Sequence, residues 1–183
     1  MNTSLPKIIV VAGPTASGKS DFGVELAIKH NGEIISADSC QIYRGLDIGT
    51  GKITEEEMKG IRHHMLDICD INEDFSVADF RNKALPIIED IIARGKTPII
   101  CGGTGQYIDA IMYENTPPKV GPNKKLREEL EALTTEELFA RLFEKDARRA
   151  NEIDKHNRVR LIRALEIIDA LGTVPKQEDL KWR

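Results

Sequence analysis

The apolar positions of this chain change period several times, and the changes mark its elements. Ile8-Ile9-Val10-Val11-Ala12 is a short continuous run, rich in β-branched residues, of the kind that forms a strand buried on both faces. A helical pattern follows from Lys19 to about Asn31, and Gly32 closes it, a good residue for the position past a helix end. Glu33-Ile34-Ile35-Ser36-Ala37 predicts a second strand, and the stretch His63–Ile68 is expected to hold another short one. Between them lie a glycine-punctuated loop, Leu46–Lys52, and a short acidic helix from Thr54 to about Gly60. From Ser76, an N-cap with Asp79 three residues on, Val77, Phe80, Ala84, Ile87, Ile88 and Ile91 repeat at helical spacing. Pro86 falls inside that pattern, so a kink or a short break is expected there, and Gly95 ends the helix. Thr97-Pro98-Ile99-Ile100-Cys101 is another strand, leading through Gly102–Tyr107 into a helix that reaches Met112. Strands alternating with helices predict a parallel sheet covered on both faces.

The pattern changes at Asn115. Thr116–Pro122 has the proline and glycine content of a linker, and beyond it the chain is helical and charged. Helices are expected over Lys124–Leu133, Thr135–Lys145, Ala147–Ile153 and Asn157–Leu171. The last presents Leu161, Ile162, Leu165 and Ile168 on an apolar face, with Arg160 and Arg163 one turn apart on another. The expected division is an α/β core over 1–114, a helical insertion over 115–156, and a core-returning helix with a C-terminal tail over 157–183.

Composition narrows this picture only modestly. The 183 residues suffice for one sizeable core with a small appendage, and a formal charge of −4 gives no global sign of nucleic-acid binding. Any such contact must come from a local basic patch. Cys40, Cys69 and Cys101 are odd in number and lack C-x-x-C spacing, so they read as reduced, small apolar residues. The start of the chain does not resemble a signal peptide, and no apolar run reaches membrane-spanning length. A cytoplasmic protein with no membrane partner is expected.

The chemistry begins between the first strand and the first helix. Gly13-Pro14-Thr15-Ala16-Ser17-Gly18-Lys19-Ser20 fits G-x-x-x-x-G-K-[ST] in the strand–loop–helix context that confirms it. The two glycines let successive N–H groups turn inward, and the helix N-terminus adds positive potential. Lys19 supplies a full charge, and the Ser20 hydroxyl is placed to ligate Mg²⁺. Such a loop binds a di- or triphosphate, but it recognises the phosphates and not the reaction. Asp38, at the carboxyl end of the second strand, stands where ligands bind in such sheets, as a base, a metal ligand or a loop-capping carboxylate. Gly102-Gly103-Thr104-Gly105 is either a second anion-binding loop or a tight strand-to-helix turn. His63 and His64 are adjacent, hence on opposite faces of a strand, and read as structural histidines. Arg148, Arg149, Lys155, Arg158, Arg160 and Arg163 form either a solvated helical face or a phosphate-contacting patch.

Taken together, GPTASGKS, DSCQIY, LDIGTGK, HHMLDI, FSVADF, CGGTGQYI and RLIRALEI occur in an order and spacing that resembles the tRNA dimethylallyltransferase (tRNA isopentenyltransferase) family, from about Lys7 to Leu171. The resemblance implies a P-loop-type α/β fold carrying a small helical insertion and a C-terminal helical part. It implies transfer of a dimethylallyl group from dimethylallyl diphosphate to the exocyclic amine of the adenine adjacent to the anticodon in tRNA. It further implies Mg²⁺ as cofactor and a target nucleotide flipped into the pocket. Carried over by position, Gly13–Ser20 cradles the diphosphate, with Ser20 toward the metal, and Asp38 is the general base. The tRNA-contacting segment runs from Asp38 through Ser39, Cys40 and Gln41, and is joined by Thr104 and by Arg158. Arg160 matches an arginine on the diphosphate side, catalytic with Lys19 and Asp38. The HHMLDI segment fits the tRNA-modifying branch better than relatives that prenylate free adenylates. Two departures stand out: Gly51-Lys52-Ile53 replaces the usual Ala-Lys-Pro, and the chain stops at Arg183 where members commonly continue, so a short or truncated member, acting as a monomer, is expected. A P-loop small-molecule or nucleoside kinase, binding ATP, is the alternative, and a catalytically inactive RNA-binding remnant the third.

Overall fold

Four strands form one wholly parallel sheet in the order β1-β4-β2-β3, in a computed structural model that describes residues 7–113, 118 and 120–175. They are β1 (Ile9–Ala12), β2 (Gly32–Ser36), β3 (His63–His64) and β4 (Thr97–Gly102). Register pairs Ile9 with Ile99 and Ala12 with Gly102 on one side of β4, and Ile34 with Ile99 and Ser36 with Cys101 on the other. All carboxyl ends therefore point one way, which gathers the loops after β1, β2 and β4 at one end of the sheet.

The helices of this unit are α1 (Lys19–His30), α2 (Glu55–Met58), α3 (Val77–Ala93) and α4 (Gly105–Met112). On one face of the sheet Val11, Ile34, Ile99 and Cys101 pack with Val24 and Ala27 of α1. On the other, Ile35 and Ile100 pack with Phe80, Ala84, Ile88 and Ile91 of α3 and with Tyr107 and Ile111 of α4. The Phe80 and Tyr107 rings stack there with centroids 4.0 Å apart.

One expectation changes. α3 starts as expected, with a capping box in which the Ser76 and Asp79 side chains each bond the other's N–H, but it runs unbroken through Pro86. Pro86 and Asn82 face solvent, so water can serve the Asn82 carbonyl that the proline leaves without a helical donor. The buried residues on both sides of Pro86 hold the helix on the sheet. The short strand expected within His63–Ile68 is β3, which occupies His63–His64. Met65 (φ 66°) and Asp67 (φ 53°) adopt the left-handed conformation and turn the chain out of the sheet after His64.

At the amino end of β2, Glu33 is 2% exposed and accepts from Arg94 Nη1 and Nη2 (2.5 and 2.8 Å), Lys96 Nζ (2.9 Å) and His64 Nε2 (2.8 Å). Arg94, with Lys96 and His64, holds the Glu33 carboxyl well below the usual carboxylate range, against the opposing cost of burial. His63 is held by the Ile61 carbonyl at 2.8 Å.

The second unit is described by itself, over residues 118–175. It contains α5 (Lys124–Glu131), α6 (Thr135–Lys145), α7 (Ala147–Glu152) and α8 (Arg158–Leu171). Leu130, Leu138, Leu142 and Ala150 share one core with Leu161, Leu165 and Ile168 of α8. Its polar hub is Glu166, which accepts from the Asn123 N–H (3.0 Å), Arg127 Nε (2.7 Å) and Arg163 Nη1 (3.3 Å).

The Glu33 cluster has a pH signature. Because the folded carboxyl titrates lower than the unfolded one, its contribution is complete above the unfolded value of about 4.3 and is lost as pH falls toward the folded value. Glu33→Gln should cost about 1–3 kcal/mol at pH 7, because Lys96 and His64 lose their charged acceptor while Arg94, a third exposed, keeps Asp90. Urea unfolding should also show a shallower loss of stability for the variant than for wild type as the pH is taken below about 4.

Candidate active site

The loop after β1 is built by two left-handed residues. Ala16 (φ 60°) and Gly18 (φ 78°) curl the chain so that α1 opens at Lys19 with Gly18 as its N-cap. No side chain caps that end, so the first-turn N–H groups stay available to an anion. Lys19 Nζ folds back to donate to the Pro14 carbonyl at 2.7 Å, which keeps its charge over the loop. The exposed Ser20 hydroxyl has no partner among the described residues.

The turn after β2 carries Asp38. Its Oδ1 accepts from the N–H groups of Cys40 (2.9 Å) and Gln41 (3.4 Å), and its other oxygen has no protein donor among the described residues. One oxygen thus shapes the turn while the other is left for chemistry. Gln41 Oε1 accepts from the Ser36 hydroxyl at 3.4 Å, and its Nε2 donates to the carbonyls of Thr50 (3.5 Å) and Gly51 (3.4 Å). Cys40 is exposed and free.

The loop after β4 joins these two. Thr104 Oγ1 accepts the Ser39 N–H at 2.9 Å and lies 3.2 Å from the Ser39 hydroxyl, and the Thr104 N–H donates to the Ala37 carbonyl at 3.0 Å. That explains why Thr104, the N-cap of α4, makes no side-chain cap: its hydroxyl is used on Ser39. A Cβ on Gly102 would stand 2.2 Å from the Ala37 oxygen, and one on Gly103 3.3 Å from the Gly13 oxygen. The glycine pair therefore makes a tight turn crowded against both other loops. Beside them, Ser20, Ser36, Gln41, His63 and the apolar Ile34, Ile53, Leu66 and Cys101 line a cavity of about 20 Å³, room for a water-sized group. Burial lowers the His63 pKa, partly offset by the Ile61 carbonyl, so the ring facing this cavity is neutral at pH 7. A larger hollow of about 420 Å³, lined by Cys69, Glu73, Asp74, Asp79 and Lys83 among others, shares no residue with the phosphate loop.

Arg158 and Arg160 belong to α8 in the second unit. Arg158 donates to Thr135 Oγ1 (3.4 Å) and the Glu131 carbonyl (3.2 Å), whereas the Arg160 side chain is exposed with no protein acceptor among the described residues. Arg148 and Arg163 are likewise engaged inside the unit, on the carbonyls of Val174 and Val120, both at 2.6 Å. Sequence reasoning passed over Lys52. Its side chain is 6% exposed and bonds the Tyr43 carbonyl (2.9 Å), Asp47 (2.7 Å) and Asp67 (2.5 Å). Its signal was its place at the end of the LDIGTGK motif, five residues after Asp47.

Comparison with known proteins settles the family. The model of the IPP transferase family matches residues 41–181. The chain belongs to the IPP transferases. It is 50% identical over 171 residues to the tRNA dimethylallyltransferase of Exiguobacterium sibiricum, covering 91% of this chain and 55% of that protein. A tRNA isopentenylpyrophosphate transferase from Bacillus halodurans superposes with a TM-score of 0.62 at 44% identity, over 92% of this chain and 57% of that one. A eukaryotic dimethylallyltransferase acting on tRNA gives a TM-score of 0.74 at 34% identity, over 90% and 42%. The chain thus spans about half the length of the curated relatives it matches. As an IPP transferase it has the parallel α/β fold expected of the family.

The bridge between the β2 and β4 loops is directly testable. Thr104→Val keeps the shape and leaves the Ser39 N–H without its acceptor, which should cost about 1–3 kcal/mol and speed amide exchange at Ser39. Thr104→Ser should retain most of both.

Proposed function

We propose that the site transfers a dimethylallyl group from dimethylallyl diphosphate to the exocyclic amine of the adenine next to the anticodon in tRNA. The observation that carries this reading is the meeting of three loops, with Gly103 against Gly13 and Thr104 bonded to Ser39. It joins a phosphate-binding loop to a carboxylate-bearing turn at one end of the sheet. Family membership and the names of the relatives supply the substrates.

In the reaction the allylic C–O bond breaks, its electron pair leaves with the diphosphate, and a C–N bond forms to adenine. Lys19 and the free N–H groups of the loop oppose the charge on the departing oxygens. The adenine amine is a poor nucleophile because its lone pair is delocalised into the ring. The unpartnered oxygen of Asp38 accepts its proton as the new bond forms. Water must be excluded, since the allylic cation would otherwise be hydrolysed. Ser39, Cys40, Gln41, Thr104 and Arg158 are the residues proposed to meet the RNA.

The donor set also fits Mg²⁺. The exposed Ser20 hydroxyl at the start of α1 is a hard oxygen ligand with no partner among the described residues. That suits an ion held mostly by substrate phosphates and water, which would neutralise diphosphate charge when bound. The reading puts the chain in the cytoplasm with its tRNA substrate, acting as a monomer. No described helix is long and apolar enough to cross a membrane.

Lys19→Ala should abolish turnover and weaken prenyl-donor binding, because it removes charge from the diphosphate. Asp38→Asn should leave donor binding nearly untouched while kcat falls by roughly two to four orders of magnitude, the usual worth of a positioned base. Titrating Mg²⁺ against the Asp38→Asn rate separates base from metal ligand: rescue by added metal would remove Asp38 as the base.

A further inference from the structure

Lys52 is nine-tenths buried, rare for a lysine, and all three of its ammonium protons have acceptors. Burial pulls its pKa down, and Asp47 and Asp67 more than offset this, so it stays charged. Its acceptors come from three separate stretches of chain. Asp47 belongs to the 46–52 loop, Asp67 to the segment after β3, and the Tyr43 carbonyl to the turn that begins at Asp38. The neighbouring bonds repeat that pattern: the Asp67 N–H donates to the Gln41 carbonyl (3.3 Å) and the Ile68 N–H to the Ile42 carbonyl (2.8 Å).

From Tyr43 the connection to the carboxylate takes two steps. The Tyr43 N–H donates to the Cys40 carbonyl at 3.3 Å, and the Cys40 N–H donates to Asp38 Oδ1 at 2.9 Å. Thr104 pins the same turn at Ser39. The turn is therefore tied near both ends, by a threonine from the loop after β4 and by a buried lysine from the 46–52 loop. A lysine that only filled space would not need three acceptors from three segments. Asp47 and Asp67 are themselves about half exposed or more, so their charges survive in water without it.

We propose that Lys52 is a positioning residue, which fixes the Asp38 carboxylate by clamping the 38–43 turn onto the 46–52 and 65–69 segments. The inference rests on the reading of Asp38 as the base, and it predicts that the two residues act as one unit.

The test is Lys52→Met, made in the wild-type and the Asp38→Asn backgrounds. Methionine keeps an apolar stem and removes the donors. In the wild-type background kcat should fall about 10- to 100-fold, the cost of misplacing a catalytic group by an ångström or so. The KM for dimethylallyl diphosphate should stay within about twofold, because the phosphate loop has its own supports. In the Asp38→Asn background the further loss should be less than about twofold, since there is no base left to misplace. Amide exchange at Cys40 and Gln41 should rise by about tenfold or more, while Ile99 and Ile100 of β4 keep their protection. Equal losses in both backgrounds would overturn the proposal, and so would unchanged exchange at Cys40. If wild type shows no prenyl transfer, the proposed function fails and the exchange measurement still decides whether Lys52 holds the turn. If Ile99 and Ile100 also lose protection, the variant has damaged the fold, and Asp67→Asn, which weakens the clamp from its other side, replaces it with the same pattern expected.

Discussion

At the carboxyl ends of β2 and β4 the two backbones approach so closely that Gly102 has no room for a side chain. Any Cβ there would meet the Ala37 carbonyl oxygen at 2.2 Å, well inside contact distance. Because Ala37 is thereby fixed, the residue after it, Asp38, leaves the sheet at a set place. Because Gly103 follows, the same strand end also meets Gly13 of the phosphate loop. The site is thus an outcome of how two parallel strands finish, and the side chains proposed to do the chemistry inherit their places from that contact. Lys52, Thr104 and Gln41 then brace the turn that Gly102 has located.

The supporting charges lie at the other end of β2 and in the second unit. Glu33 and Glu166 are almost fully buried, and each gathers two or more cations with several hydrogen bonds. Single buried carboxylates would be costly, whereas these have donors for both oxygens and titrate below the usual range. Their partners show why a basic stretch is a weak guide to RNA contact. Much of the positive charge on α7 and α8 is engaged in holding the helical unit together, leaving Arg160 exposed.

How much could be read in advance follows from which forces are local. Strand and helix identities were legible because apolar period, the Ser76–Asp79 cap and the closing glycines Gly95 and Gly172 act within a few residues, whereas α1 closes on left-handed Asn31 and the expected Gly32 opens β2. The place of the Gly13–Ser20 loop between β1 and α1 was legible for the same reason. The unbroken course of α3 was not, because packing on both sides of Pro86 outweighs a local breaker whose cost falls on a solvent-facing carbonyl. β3 was legible as a short strand within His63–Ile68 but its end was not, since nothing there announces left-handed Met65 and Asp67. Lys52 escaped notice because its three acceptors are brought together only by the fold. The convergence of Ser39 with Thr104, 65 residues apart, is of the same non-local kind, and only the family resemblance had placed both at one site.

The central claim is that the joined loops move a prenyl group onto RNA. Its most direct measurement incubates the wild-type chain with radiolabelled dimethylallyl diphosphate, Mg²⁺ and bulk tRNA, and scores label on the exocyclic amine of adenine. The account predicts label in RNA that depends on the metal and is competed by unlabelled diphosphate donor. Phosphoryl transfer from ATP to a small hydroxyl acceptor, with no label in RNA, would contradict it and turn the same loops into a kinase site; RNA binding without any turnover would reduce them to a binding module.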